Sequence, residues 1–492
     1  MSNSESRTEV RRSVEERWPT AEDFYNERDD RTRRNTPGFD QYATCSVEIL
    51  IDPATANTRT AQQIALVACN LTARWARAVT IVIPADVLIA KGLDRGSFPT
   101  LKDRLQFEMA GADPFGHFEF VSIGNYKHRP DEELFRLFIG SWEDPQNAEV
   151  LIEEDDFLIW AVGEYAIGRR GEPLSSIIPG EDFTPAAALA ASIGAADLFK
   201  RAIGHSREQW ISSFNWNLID HSLNRDVGPS RPTNSGDNLD IGRVLLAGVG
   251  AIGSSLVYML DLAGVVGDIT LLDRDRVETS NLNRSLLFDV SHVLSNAHKT
   301  ELASNFLSSS GIPTRRLDGT WREHSAAIST EPFDVWISFT NEDGAWAQVP
   351  FQLPPIVLQG TTTSGWGFGA GRHIPRKEDC TLCRMPRPEA VFRGPCAEGE
   401  IDPAKVEGPP MVASLPFLSA ASASLVLAEL LKLGLSGVEM LPNDVSADLK
   451  TGFPAVVSVI RQSDENCRGC QIVNSDMWHD RGGRGRYNEL SQ

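Results

Sequence analysis

The chain has 492 residues, of which 41% are hydrophobic and 23% charged, as in folded globular proteins, and its length suffices for about two to four domains. Its net charge of -20 excludes a general nucleic-acid or anionic-membrane surface as the main partner. Seven cysteines are too few, and odd in number, for a disulfide framework. The N-terminus is polar and has no apolar secretory stretch, so we expect a cytoplasmic protein.

The first half of the chain alternates strand and helix patterns after a charged beginning. Residues 1–43 lack sustained periodicity, so we expect a flexible N-terminal arm or a short helix there. Beyond it the patterns predict a strand, a helix, a second buried strand and a late alanine-rich helix, at 46–52, 60–77, 78–84 and 185–204. This βαβ order predicts an α/β domain over 44–215.

The second half is predicted to be another α/β domain, over 242–473, with a linker at 216–241 and a C-terminal tail at 474–492. Its predicted elements are a strand, a helix, a strand and a long helix, at 244–248, 251–263, 268–273 and 416–434. The long helix contains serines and a proline, which favours a buried helix over a membrane span.

The two long helices share the order proline, small residues, then acidic-Leu-apolar-Lys. Asp197 to Lys200 and Glu429 to Lys432 carry this last part. We therefore expect two copies of one α/β fold, the first of which has lost its glycine loop. The alternative is chance similarity between two alanine-rich helices.

Gly248, Gly250 and Gly253 form a GxGxxG pattern between a predicted strand and a predicted helix. In this context glycines let backbone amides approach a phosphate at the positive end of a helix. Asp273 ends the next strand, where a carboxylate accepts hydrogen bonds from ribose hydroxyls. A nucleotide site is therefore predicted, although an NAD-dependent oxidoreductase carries the same two features.

Many polar side chains follow Asp273, and their types indicate whether the site binds a nicotinamide dinucleotide or a nucleoside triphosphate. It includes Asp275, Asn281 and Arg284, with Lys299 further along the chain. Nicotinamide needs an apolar slot, whereas a triphosphate needs cations for its phosphates and carboxylates for magnesium. The set therefore favours ATP with Mg²⁺.

Over roughly residues 240 to 472 the chain resembles the ubiquitin-activating and ThiF/MoeB-type adenylyltransferases. The motifs that carry the resemblance are GxGxxG, then D-x-D-x-V-x-x-S-N-L-x-R, and then a lysine. The resemblance implies a Rossmann-like ThiF-type adenylation domain, preceded by a degenerate, inactive adenylation-like α/β domain. It also implies that Asp273, Asn281, Arg284 and Lys299 contact ATP, with the arginine and the lysine on its phosphates.

The family's magnesium-binding aspartate has no direct match in this sequence. Asn341 stands in its position, and Asp343 is the expected replacement. The resemblance also implies that an arginine of the N-terminal arm reaches the γ-phosphate, with Arg28 and Arg31 as candidates.

Four cysteines form two CxxC pairs that can supply four thiolates to one tetrahedral structural zinc. Zinc-bearing members of the family have such a split site, and four protein ligands leave no open position for catalysis. A redox disulfide or unmetallated thiols are the alternatives. The ligands would be Cys380, Cys383, Cys467 and Cys470.

Cys396 lies in the polar, glycine- and proline-containing segment 393–399, which argues against a core position. The resemblance implies that a cysteine in C-A-x-x-G lies on the crossover loop and forms a thioester or persulfide with the adenylated partner. Cys396 is thus the candidate nucleophile, and a structural cysteine is the alternative. Cys45 and Cys69 fall on a predicted strand and helix and are expected in the core.

The activity implied is ATP-dependent adenylation of the C-terminal glycine carboxylate of a small ubiquitin-like protein, followed by thioester formation on Cys396. Adenylation of a sulfur-carrier protein uses the same chemistry. A nucleotide-binding pseudoenzyme scaffold, suggested by Asn341, and an NAD-dependent oxidoreductase are further alternatives. A downstream conjugating enzyme is a further expected partner, and the paired domains form a pseudo-dimer that leaves further oligomerisation open.

Overall fold

Two sheets, one in each half of the chain, organise the molecule. The computed structural model describes the whole chain except residues 1–2, 37, 96, 128–133, 143–149, 175–181, 224–238, 341–344, 364, 385–414, 436–437, 441, 453, 482–484 and 492.

The first half starts with four helices and continues as an α/β unit. Helices α1 to α4 are Asn3–Arg17, Ala21–Arg28, Asp30–Asn35 and Phe39–Tyr42. Strands β1 to β7 are Ser46–Ile51, Ala78–Ile83, His117–Ser122, Leu134–Ile139, Phe157–Val162, Tyr165–Arg170 and Phe214–Asn217. Helices α5 to α7 are Arg59–Ala73, Leu101–Ala112 and Thr184–Ala202.

The second half contains eight further strands and eight helices among the described residues. Strands β8 to β15 are Asp240–Ala247, Val266–Asp273, Thr314–Asp318, Val335–Ser338, Ile356–Thr362, Gly367–His373, Asp444–Asp448 and Ala455–Val459. Helices α8 to α15 are Ala251–Ala263, Val290–Leu294, Lys299–Ser309, Trp321–Thr330, Ala345–Gln348, Pro416–Gly434, Arg468–Val473 and Asp476–Arg481.

The two sheets repeat one strand order. The first runs β3-β2-β1-β4-β5-β6-β7 and the second β10-β9-β8-β11-β12-β13-β14-β15. In each sheet the first four neighbouring pairs are parallel and the remaining pairs antiparallel. The predicted α/β class and the expected second copy of the fold are therefore confirmed.

The N-terminal segment forms four helices, so it is not the flexible arm that we expected first, and it has more helix than the single short one expected otherwise. Trp18 and Phe24 are buried, and Thr20 caps α2 by accepting a hydrogen bond from the backbone N–H of Asp23. The carboxylate of Asp23 accepts in return from the backbone N–H of Thr20, which completes a capping box. The high content of charged residues suggested a solvated segment, but some of these charges are buried in ion pairs.

Helix α13 joins the two halves and lies in the core, as expected. Among the described residues it is the one helix long and apolar enough to cross a membrane, and 94% of its most apolar window is buried inside the protein. It packs against α7 of the first half and α8 of the second. Its apolar side chains are therefore covered by the protein itself.

The two long helices also exchange polar contacts across the halves. Lys200 of α7 donates to the carbonyl oxygen of Lys450, at 3.1 Å, in the second half. Lys432 of α13 donates to the carbonyl oxygen of Ile219, at 3.0 Å, in the first half. The lysines of the two similar sequence patterns thus make reciprocal contacts.

A buried carboxylate, Glu429, balances the cations at the end of α13. It forms ion pairs with Lys432 and Arg372, and its Oε1 lies 2.7 Å from Nε2 of His221. Burial alone raises the pKa of Glu429, but Lys432 and Arg372 outweigh it and hold the pKa well below its usual range. The contact between the halves therefore depends on a charged Glu429.

Replacing Glu429 by glutamine is expected to lower the free energy of unfolding by about 3 to 5 kcal/mol, because buried Lys432 loses its ion-pair partner and buried Arg372 keeps only Glu378. Urea unfolding of both proteins measures the loss. Glu15→Gln, which removes an exposed carboxylate paired with Arg11, is the control and is expected to change stability by less than about 1 kcal/mol. Equal effects of the two substitutions would contradict the role given to Glu429.

Candidate nucleotide site and metal centre

The glycine loop lies at the carboxyl end of β8 and leads into α8. Gly248 has a φ of +95°, and an added Cβ there would lie 2.9 Å from the carbonyl carbon of Phe339. A Cβ at Gly253 would lie 2.0 Å from the carbonyl oxygen of Gly248. Both positions therefore require glycine for the fold itself.

Gly250 has no such steric requirement. A Cβ added there would meet nothing within 4 Å, and the residue immediately precedes α8. A side chain would fill the open space in front of the helix N-terminus, where backbone amides face outward. This space fits the close approach of a phosphate to the backbone.

Asp273 ties the end of β9 to the glycine loop. Its Oδ2 accepts a hydrogen bond from the backbone N–H of Val249 at 2.6 Å, and its Oδ1 accepts from the N–H of Asp275 at 2.8 Å. Burial raises the pKa of Asp273, against the opposing attraction of Lys299 and the two backbone donors. The carboxylate thus lies directly beside the loop, as its predicted role requires.

Lys299 lies at the start of α10 and is buried. Its Nζ donates to Oδ2 of Asp275 at 2.9 Å, and its backbone N–H donates to the carbonyl oxygen of Asp275 at 3.0 Å. The structure therefore brings together the glycine loop, Asp273, Asp275 and Lys299.

Arg284 is a buried cation on the segment that follows β9. Its Nη1 lies 3.3 Å from Oδ1 of Asn283, to which it donates, and among the described residues no carboxylate forms an ion pair with it. Burial and the neighbouring charge of Arg31 together lower the pKa of Arg284 to about 9, against the opposing charge of Glu278. A desolvated guanidinium without a carboxylate in direct contact is suited to receive an anion.

Asn281 has a structural contact in addition to its predicted role. Its Oδ1 accepts a hydrogen bond from the backbone N–H of Glu278 at 3.0 Å and closes the 3₁₀ turn Thr279–Asn281. The turn precedes Arg284 by three residues. Asn281 thus shapes the backbone from which the cation projects.

Two predicted site residues, Asp343 and Cys396, lie outside the described residues, as does Asn341. Their roles stay predictions. Of the two N-terminal candidates for the γ-phosphate, Arg28 is fully buried and forms ion pairs with Asp29 and Asp113, both at 2.7 Å. Arg31 is therefore the remaining candidate for the γ-phosphate. Its charge contributes to the lowered pKa of Arg284.

The first sheet carries a carboxylate where the second has its glycine loop. Asp52 follows β1 as Gly248 follows β8, and its Oδ2 accepts from the backbone N–H groups of Ser141 and Trp142, both at 3.1 Å. The amides at this end of the sheet thus already hold an internal anion.

Contacts from the N-terminal helices to the nucleotide segment were missed by the sequence analysis. Oγ1 of Thr279 donates to Oε2 of Glu27 at 2.8 Å, and Nδ2 of Asn283 donates to Oγ1 of Thr32 at 3.0 Å. The capping sequence that starts at Thr20 is the signal that could have identified a helix there.

Four cysteine sulfurs converge beyond the ends of β13 and β15, as the two CxxC pairs predict. Their Sγ atoms all lie within 4.8 Å of one another. The shorter separations are 3.4 Å between Cys383 and Cys470, 3.7 Å between Cys380 and Cys467, and 3.9 Å between Cys380 and Cys383. Such a cluster fits the four-thiolate ligand set of zinc.

The environment of the four sulfurs is suited to a structural site. A hydrogen bond from the Cys380 thiol lowers the pKa of Cys470 to about 4, and the same contact raises the pKa of Cys380. Trp478, in the predicted C-terminal tail, is buried in the same apolar cluster and donates from Nε1 to the carbonyl oxygen of Pro354 at 2.7 Å. The end of the chain is therefore packed against this centre.

The chain was compared with protein-family models and with solved structures. Residues 223–336 match the model of the ThiF family. Solved structures of E. coli MccB are similar: the complex with ATP is 14% identical, covers 65% of this chain and 99% of its own, and has a TM-score of 0.38. The complex with MccA-N7isoASN is 17% identical over 48% of this chain and 68% of its own, also with a TM-score of 0.38.

No match to the chain was found among curated proteins. The residues of the family match include the glycine loop, Asp273, Arg284 and Lys299. The second half of the chain therefore contains a ThiF-family domain, as its sequence motifs predict.

Proposed function

We propose that the second half binds ATP with Mg²⁺ and adenylates the C-terminal carboxylate of a small ubiquitin-like protein. The observation that carries this proposal is Arg284, a buried cation without a carboxylate ion pair among the described residues, on the segment next to the glycine loop strand. Removing a cation from water is costly unless an anion approaches it. A triphosphate supplies that anion.

The residues near the loop have distinct proposed roles. Asp273 receives the ribose hydroxyls, and Arg284 and Lys299 neutralise the phosphates. Asp275 and Asp343 are the carboxylates proposed for Mg²⁺, of which Asp275 holds Lys299 in place. This distribution suits a reaction in which the protein mainly positions and neutralises anionic groups.

In the proposed first step an oxygen of the carrier carboxylate attacks the α-phosphorus of ATP. The bond to the β-phosphate oxygen breaks, pyrophosphate leaves, and an acyl-adenylate forms. Both reactants are anionic, so the cations lower the barrier by reducing their repulsion.

In the proposed second step the Cys396 thiolate attacks the acyl carbon and AMP leaves, which gives a thioester. Covalent capture divides one difficult transfer into two easier steps. A carrier that ends in glycine suits both steps, because it offers an unhindered terminal carboxylate. A sulfur-carrier protein would undergo the same first step.

Exchange of labelled pyrophosphate into ATP, measured with candidate carrier proteins, tests the adenylation step. We expect exchange with the cognate carrier and a loss of about 100-fold or more in Arg284→Ala and in Lys299→Ala, because each removes a charge from the phosphates. Arg322→Ala, which removes an exposed arginine of α11, is the control and should exchange like the unchanged protein.

The same experiment separates the alternatives. ATP binding without exchange in the presence of the true carrier would instead support a nucleotide-binding scaffold. Binding of NADH in preference to ATP would support the oxidoreductase and contradict the proposal.

Cys396→Ala tests the covalent step. With ATP and the carrier, the unchanged protein is expected to form an adduct that added thiol cleaves, seen by non-reducing electrophoresis and mass spectrometry. The variant is expected to lose this adduct completely and to keep pyrophosphate exchange, because adenylation precedes capture. Cys45→Ala is the matched control, and an adduct that persists in Cys396→Ala would remove this cysteine from the mechanism.

We propose one structural zinc on the four clustered cysteines, and metal analysis of the purified protein is expected to give about one equivalent per chain. Cys467→Ser should lose the metal and melt at a lower temperature, because zinc links the ends of β13 and β15. Cys45→Ser is the control for loss of a cysteine elsewhere. A metal-free protein of undiminished stability would contradict the site.

A further inference from the structure

A line of buried side chains leads from the N-terminal helices to Arg284. The hydroxyl oxygen of Thr32, in α3, accepts a hydrogen bond from Nδ2 of Asn283 at 3.0 Å. Oδ1 of the same Asn283 amide accepts from Nη1 of Arg284 at 3.3 Å. All three residues are at most 7% exposed, so water does not compete for these contacts.

The helices that carry Thr32 are themselves fixed in place. Arg28, at the end of α2, is fully buried between Asp29 and Asp113, and Asp113 follows α6 of the first half. Glu27 makes a further contact by accepting from Thr279, which opens the turn before Arg284. Thr32 therefore approaches the nucleotide segment from a rigid support.

The two ends of the Asn283 amide have different partners. Its donor end is used by Thr32, which turns its oxygen end toward Arg284. A guanidinium with one N–H group held in this way presents its other N–H groups in a defined direction. A phosphate-binding arginine requires such a fixed direction, because bidentate contacts depend on geometry.

We propose that Asn283, oriented by Thr32, is a positioning residue for the nucleotide, since it fixes the guanidinium of Arg284 toward the phosphates. This inference rests on the proposed function and assigns part of the nucleotide affinity to the N-terminal helices. Neither Asn283 nor Thr32 touches the nucleotide in this arrangement; both act through Arg284.

Titration calorimetry with ATP and Mg²⁺ on the full chain tests the inference. Thr32→Val keeps the shape of the side chain and removes the acceptor, and we expect roughly threefold to tenfold weaker ATP binding. Thr32→Ser retains the hydroxyl and should restore the affinity. Asn283→Ala interrupts the same line from the other side and serves as the second variant, with melting temperatures recorded for each protein.

The decisive comparison repeats Thr32→Val in the Arg284→Ala background. If Thr32 acts through Arg284, the substitution should cause no further loss of ATP affinity there. An equal loss in both backgrounds would show general destabilisation and overturn the inference, as would unchanged ATP affinity in both Thr32→Val and Asn283→Ala. If the unchanged protein does not bind ATP, the proposed nucleotide site fails, and the inference fails with it, for that separate reason.

Discussion

The segment that carries Arg284 is held in shape by a buried arginine of the first half. Arg74, at the end of α5, donates to the carbonyl oxygens of Leu282, Leu286 and Phe288 at 2.6, 2.9 and 3.2 Å. Burial, with the charge of Arg28, lowers the pKa of Arg74 to about 9, and Asp289 and Glu108 oppose this shift. The candidate nucleotide site is therefore a product of both halves, and neither half alone would shape it.

This dependence gives the first half a role that does not require its own nucleotide. Asp52 accepts hydrogen bonds from the backbone N–H groups that follow β4, while α5 and α6 beside that sheet contact the second half. Glu108 of α6 accepts a hydrogen bond from the hydroxyl group of Tyr258 at 2.6 Å, and Tyr258 lies on the helix that starts at the glycine loop. The first copy of the fold thus supports both α8 and the segment after β9.

The sequence predicted what depends on local periodicity and motif spacing. The helices at 251–263 and 416–434 have the predicted bounds, and the four zinc-type cysteines meet, because apolar patterns and paired CxxC motifs are readable over short stretches. The contact between Thr32 and Asn283 joins residues 251 positions apart, and neither type of residue is distinctive. Composition also suggested a mobile N-terminus, because it does not distinguish a solvated charge from one buried against Asp113.

The candidate site contains buried cations, whereas the chain as a whole is strongly negative. A protein with a net charge of -20 would repel a triphosphate over most of its surface. Burying Arg284 and Lys299 removes the screening by water that weakens such charges at the surface, so each acts more strongly on a nearby anion. Burying these cations is unfavourable, and other contacts of the fold must offset it. The ion pairs of Arg28 and the carbonyl contacts of Arg74 hold the surrounding segments in place. Nucleotide affinity should therefore vary with the packing of the N-terminal helices, even though most of their residues lie outside the loop that the phosphates would touch.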